Sequence, residues 1–147
     1  MELSGAFTLA ASPEKVWAAL NDPAVLQRCI PGCESLTQTD ANQLEAKMSA
    51  KIGPVKARFE TTLTLSDIEP PKAYTLSGQG KGGAAGFAKG SARIELAQVD
   101  DGTELTYVVE MQVGGKLAQI GSRLVSGAAR KIADQFFNAF NEEMTAA

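Results

Sequence analysis

LAQIGSRLVSGAARKIADQFFNAFNEEM, the run from Leu117 to Met144, has no proline, and Gly121 and Gly127 are its only glycines. Apolar side chains recur at Leu117, Ile120, Leu124, Ala128, Ile132, Phe136, Phe140 and Met144. Steps of three and four residues set them in one stripe along an α-helix. A single helix cannot bury such a stripe alone, so it must lie across another layer. The residues before it supply that layer.

Immediately upstream, Leu105, Tyr107, Val109, Met111 and Val113 fall on every second residue, the pattern of a half-buried strand. Gly114-Gly115 separates this strand from the helix, and Asp100-Asp101-Gly102 reads as the hairpin turn before it. Ala88, Ala92, Ile94 and Leu96 mark the preceding strand, and Tyr74, Leu76 and Gly78 the one before that. Val55, Ala57, Phe59, Thr61, Leu63 and Leu65 alternate with Lys56, Arg58, Glu60 and Thr62 until Pro70-Pro71 closes the run. Leu44, Ala46, Met48, Ala50 and Ile52 alternate in the same way, and Gly53-Pro54 turns the chain between these two runs.

At the N-terminus, Leu3, Gly5, Phe7 and Leu9 trace a strand over Glu2 to Ala10. Ser12-Pro13-Glu14 then provides an N-cap, a proline at the first helical position and an acid in the first turn. Val16, Trp17 and Leu20 face inward from that helix. Asn21-Asp22-Pro23 starts a second one, with Val25, Leu26 and Ile30 inward, and Pro31-Gly32 ends it. The expected fold is α+β, a single domain over residues 1–147. A curved antiparallel sheet of about six to seven strands wraps around the long C-terminal helix, with two short helices after the first strand.

Many inward positions are small: Ala46, Ala50, Ala57, Thr61, Gly78, Gly80, Ala88 and Ala92. Small side chains beneath a helix either let it pack closely or leave volume, and a dry void costs stability unless something fills it. An apolar cavity between sheet and helix, suited to a hydrophobic ligand, is the expectation. Its contacts should come from Phe59, Leu63, Tyr74, Tyr107 and Met111 on the sheet, and from Leu124, Ala128 and Phe136 on the helix.

The chain is 44% hydrophobic and 21% charged with a net charge of −3, the balance of a globular protein and not of a disordered or nucleic-acid-binding one. No apolar run approaches the ~20 residues of a membrane span, and Met1-Glu2-Leu3-Ser4 lacks the opening of a signal peptide. A cytoplasmic protein is expected, placed if anywhere special at the cytoplasmic face of the inner membrane. There is no histidine. That removes histidine acid–base catalysis, Ser-His-Asp and Cys-His nucleophiles and most zinc sites. Glu60 and Glu110 point away from the expected cavity, and Tyr74 and Tyr107 are core tyrosines or donors to a ligand carbonyl. No paired acid–base constellation remains, so no catalytic residue, metal or covalent cofactor is expected.

Gly78, Gly80 and Gly83 match the G-x-G-x-x-G spacing, but that fingerprint must open a helix whose N-terminus receives a pyrophosphate. Here it leads into Ala84-Ala85-Gly86-Phe87 and another strand, so a glycine-rich hairpin at the cavity rim, able to act as a gate, is the better reading. Cys29 and Cys33 form C-x-x-x-C across a turn without further Cys or His to complete a metal site, and two reduced thiols are expected. Basic residues gather in stretches: Lys47, Lys51, Lys56 and Arg58; Lys72, Lys81, Lys89 and Arg93; Lys116, Arg123, Arg130 and Lys131. If the loops at Gly53, Gly83 and Gly115 meet at one end, Lys51, Lys56, Lys81, Lys89 and Lys116 form a rim with an exposed Phe87. Such a rim suits an acidic partner or an anionic membrane.

Six segments together resemble the G-subunit family of carbon monoxide dehydrogenase. They are PEKVW (Pro13–Trp17), CIPGCESL (Cys29–Leu36), IGPVKA (Ile52–Ala57), GKGGAAGFAKG (Gly80–Gly90), VGGKLAQIGSRL (Val113–Leu124) and KIADQFF (Lys131–Phe137). The similarity spans about residues 1–143, and the element order resembles the wider helix-grip superfamily of START-like, polyketide-cyclase and pollen-allergen domains. The resemblance implies an accessory protein, with no catalytic role of its own, of a molybdenum-containing carbon monoxide dehydrogenase or related hydroxylase. It implies recruitment of that enzyme to the membrane or respiratory chain, and a quinone or lipid-like molecule held in the cavity. Many members continue into a tail with an apolar anchoring end. This sequence ends at Ala147, and either a short form or a truncated piece of a longer chain is the expectation. Two other functions stay open: a pure assembly or docking factor without a ligand, and a cyclase-like enzyme such as some helix-grip relatives are.

Overall fold

The computed structural model describes residues 1–145. β1 (Glu2–Leu9) leads into α1 (Pro13–Leu20) and α2 (Pro23–Cys29). Then come β2 (Cys33–Asp40), β3 (Gln43–Ile52), β4 (Val55–Glu69), β5 (Ala73–Lys81), a 3-10 turn at Gly83–Ala85, β6 (Phe87–Val99) and β7 (Gly102–Gly114). A one-turn helix, α3 (Lys116–Gln119), precedes the long α4 (Ser122–Thr145). The seven strands form one antiparallel sheet in the order β1-β7-β6-β5-β4-β3-β2. β1 therefore sits at the edge beside the last strand, and α1 and α2 carry the chain across to the opposite edge.

Local chemistry accounts for the helix starts. Ser12 Oγ accepts the Lys15 N–H at 3.3 Å, and Asp22 Oδ1 accepts the Ala24 N–H at 3.0 Å. Pro13 and Pro23 each follow the cap, where their missing N–H costs nothing.

Two elements differ from the sequence reading. β2 lies at a sheet edge, and of its ESLTQTD residues only Leu36 is buried, so no alternation marks it. The helix expected as one piece from Leu117 is divided. Gly121, at φ +95, takes left-handed backbone that ends α3 and restarts the helix at Ser122. The stripe through Leu124 and Ala128 thereby loses its phase. Leu117 is buried from α3, Leu124 is 49% exposed, and α4 buries Val125 instead.

The main core lies beneath the C-terminal half of α4. Phe137, Phe140 and Met144 cluster with Val16, Leu20 and Cys29 of the short helices and with Leu9, Ile94, Leu96 and Leu105 of the sheet. Phe137 stacks on Phe7 at 4.4 Å and on Tyr107 at 5.7 Å between ring centroids. Polar ties hold the same end. Asn141 Oδ1 accepts the Ala10 N–H at 3.1 Å, Lys15 Nζ donates to the Met144 carbonyl at 3.0 Å, and Arg28 Nε donates to Glu143 at 2.7 Å. The Lys15 ammonium there meets the negative end of the helix dipole. Between Ser122 and Phe136, by contrast, Val125 is the buried residue of α4.

Truncating the best-enclosed aromatic, Phe140→Ala, should cost about 3–5 kcal/mol of unfolding free energy, read as a shift of the denaturant midpoint. Stability should also fall in acid. The hydrogen-bonded guanidinium of Arg28 holds Glu143 below its ordinary carboxylate value, and that of Arg58 does the same for Glu34. A depressed carboxyl binds fewer protons in the folded state, so its contribution is complete above the unfolded value and is lost as pH falls through the depressed one. Thermal midpoints followed down through the carboxylate range should decline, and Glu143→Gln should flatten part of that decline.

Candidate ligand cavity

Where α4 crosses the small residues of the sheet, space remains. It has two adjoining lobes, whose walls share Leu63, Leu76, Ala92, Val109, Ala129 and Ile132. The outer lobe, about 300 Å³, lies among Ile52, Phe59, Met111, Val113, Leu117 and Val125. The inner lobe, about 280 Å³, is bounded by Leu20, Leu26, Ile30, Tyr74, Tyr107, Phe136 and Phe137. Ala50, Thr61, Gly78, Gly80, Ala88 and Ala92 all line the outer lobe. The small inward positions thus leave volume there instead of drawing the helix down.

The expected contact residues separate into two groups. Phe59 and Met111 line the outer lobe, Tyr74, Tyr107 and Phe136 the inner one, and Leu63 both. Leu124 and Ala128 line neither, because the restart at Gly121 turns Val125 and Ala129 inward in their place. Counting back in fours from Phe137 reaches Ala133, Ala129 and Val125, a signal masked by the larger side chain of Leu124. Leu124 instead reaches the tip of the β3–β4 hairpin. A Cβ placed on Gly53 would lie 3.5 Å from Leu124 Cδ1 and 3.8 Å from Ile120 Cδ1. Met48, Ile52, Leu76, Val109 and Val113 also line the cavity. They stand in the alternating runs, but period two alone cannot separate side chains beside a void from those in the packed core.

The polar groups around the cavity are few. Tyr74 is 4% exposed, and its ring stands edge-on to Trp17 at 5.4 Å. Burial pushes its phenol up, so it stays protonated throughout the physiological range. The Tyr107 hydroxyl lies against β1, where a Cβ on Gly5 would come within 2.7 Å of it. Glu60 and Glu110 are exposed on the outer face. Among the described residues no group of three or more His, Cys, Asp and Glu side chains could hold a metal ion. Cys29 is buried and Cys33 half-buried, both as free thiols. Burial pushes both thiols up, which keeps them protonated and slow to react at neutral pH.

The glycine-rich segment forms the β5–β6 hairpin and opens no longer helix than the three-residue turn Gly83–Ala85. Gly86, at φ +106, is where glycine is required: a Cβ there would lie 1.9 Å from the Gly114 carbonyl oxygen. This contact joins the β5–β6 tip to the β7–α3 connection. The β3–β4 tip meets the same end, since Pro54, Val55, Lys56, Lys81, Gly83 and Lys116 share one surface groove. Lys51 pairs across the hairpin with Lys56. Lys81 and Phe87 alternate with the cavity-lining Gly80 and Ala88 and stand on the outer face, whereas Lys89 borders the outer lobe. Phe87 is 39% exposed, with its ring laid over Gly114. Arg58 and Arg93 are tied up in ion pairs, with Glu34 at 2.7 Å and Glu69 at 2.8 Å.

A curved antiparallel sheet closed by a C-terminal helix over an apolar cavity is a START-like architecture. The chain is similar in fold to a START superfamily protein from Mycobacterium smegmatis, at 14% identity and a TM-score of 0.74 over 97% of this chain and 96% of that one. It is also similar to BexL, a di-domain ARO/CYC protein of the BE-7585A biosynthetic pathway, at 12% identity and a TM-score of 0.70, covering 100% of this chain and 50% of BexL. A conserved protein from Geobacillus kaustophilus is 34% identical with a TM-score of 0.92 over 98% of this chain and 95% of that one. No curated protein matches the chain. Residues 5–145 match the carbon monoxide dehydrogenase G-subunit family (CoxG), and the chain belongs to that family. The family is that of a carbon monoxide dehydrogenase subunit, and the START-like neighbours share the arrangement of elements. Among the described residues no helix is long and apolar enough to cross a membrane.

Two glycines test the geometry of this end. Gly86→Ala combines a left-handed backbone with a collision against Gly114 and should lower the denaturant midpoint clearly. Gly127→Ala, in the middle of α4 with nothing within 4 Å of the added carbon, should raise stability by about 0.5–1 kcal/mol.

Proposed function

We propose that this chain is a non-enzymatic accessory protein that holds a quinone or lipid-like molecule between sheet and helix. In that role it brings a molybdenum-containing carbon monoxide dehydrogenase or related hydroxylase to the membrane or respiratory chain. The observation that carries this reading is the two-lobed apolar cavity, left open by Ala50, Gly78, Gly80, Ala88 and Ala92. A hydrocarbon chain entering it would gain about 0.8 kcal/mol per methylene removed from water. Phe59, Leu63, Met111, Tyr74, Tyr107 and Phe136 would surround the ligand, with Ala129 in place of Ala128 and Val125 in place of Leu124 as the helix contacts.

The reading of a non-enzyme draws on what faces the cavity. The chain has no histidine, and Glu60 and Glu110 point outward, so among the described residues no acid–base pair adjoins the void. The partner or membrane is met, in this proposal, by Lys51, Lys56, Lys81, Lys89, Lys116 and Phe87. Among the described residues these lysines form no ion pair, which leaves their charge available to an acidic protein surface or to anionic headgroups.

Organic extraction of the protein purified from a respiring bacterial host, followed by mass spectrometry, should yield a quinone or lipid in stoichiometric amount. An empty extract together with no uptake of added quinone would overturn the carrier reading and leave docking through the basic surface. Ala129→Trp, which fills the space between the lobes, should abolish binding while the circular dichroism spectrum and melting midpoint are retained.

A further inference from the structure

Thr103, fully buried, donates to the Ala11 carbonyl at 2.7 Å. Two buried tyrosines line the inner lobe, and among the described residues neither hydroxyl has a protein partner. The Tyr107 hydroxyl lies against Gly5 of the edge strand β1. Tyr74 stands on β5, the central strand, at 4% exposure, and burial alone perturbs its hydroxyl. Nor is that oxygen sealed in by packing, because no fully enclosed side-chain oxygen or nitrogen among the described residues lacks a partner. It keeps contact with open space, and the inner lobe is the cavity that Tyr74 lines.

A buried donor without an acceptor is costly, since it has given up water and received nothing in exchange. A ligand that brings an acceptor removes that cost, and one that does not leaves it standing. The walls add a second constraint. No charged side chain lines the inner lobe, so a carboxylate or phosphate placed there would be buried without a counter-charge.

We propose that Tyr74 is the specificity-determining residue of the cavity. Its hydroxyl donates to a neutral, carbonyl-type oxygen at the inner end of an otherwise apolar ligand, whose hydrocarbon part runs through the outer lobe toward Gly53. Anionic lipids are disfavoured in that orientation. This assignment rests on the reading that the cavity holds an apolar molecule, and it adds which end enters first and what that end must carry.

The test compares two compounds of matched shape, geranyl-substituted 1,4-naphthoquinone and the oxygen-free geranylnaphthalene, by equilibrium dialysis against the unaltered chain and Tyr74→Phe. The variant should bind the quinone about tenfold more weakly and the hydrocarbon equally well, the loss of one hydrogen bond. The infrared carbonyl band of the quinone bound to the unaltered chain should lie below its position in hexane. An unshifted band, or a variant that treats the two compounds alike while the unaltered chain binds the quinone, would overturn the role of Tyr74. If the unaltered chain binds neither compound, the cavity reading fails, and this inference with it.

Discussion

The stacking of Phe137 on Phe7 and Tyr107 decides how far α4 stands from the sheet. Aromatic rings at centroid distances of 4.4 and 5.7 Å act as a prop, because they cannot be compressed without leaving their contact minima. Phe140 and Met144 complete the support, and the ties to Ala10, Lys15 and Arg28 fix the same end against rotation. Held at that height, the N-terminal half of α4 passes over the sheet with Val125, Ala129, Ile132 and Ala133 reaching down. The first three face Ala50, Gly80 and Ala88, and the sum of such side chains does not fill the gap. The cavity is the geometric result of a helix propped at one end above a floor of small residues.

Charge is partitioned with equal economy. The inner lobe contains no ionisable group other than Tyr74 and Tyr107, while the lysines of β3 to β6 stand on the opposite face of the same strands. Strand alternation makes this separation automatic, since neighbouring side chains leave the sheet in opposite directions. A neutral interior excludes charged guests by their desolvation cost, while the lysines and glutamates of the outer face keep their water.

The fold by itself carries less. BexL shares the architecture at 12% identity, a level at which only the arrangement of elements is common. What goes beyond the architecture is the match of residues 5–145 to the CoxG family.

Much of this was legible before any coordinates. The alternating runs from Leu44 to Val113 specify strands because a sheet with one buried face imposes period two, and Ser12-Pro13 and Asp22-Pro23 specify helix starts because a side-chain oxygen must satisfy the first free N–H groups. The small inward residues announced spare volume for the same local reason. Three matters were beyond local reading. β2 is an edge strand with a single buried side chain, so its placement depends on β3 and not on its own pattern. The phase of α4 turns on the φ of Gly121, which selects Val125 and Ala129 over Leu124 and Ala128. The solitude of the Tyr74 hydroxyl, finally, is a property of everything that surrounds it. Sequence determined which strand residues face inward, because that follows from backbone periodicity; only tertiary structure decided the inward face of α4, which residues meet one another and which are left facing space, because that follows from the distances between elements.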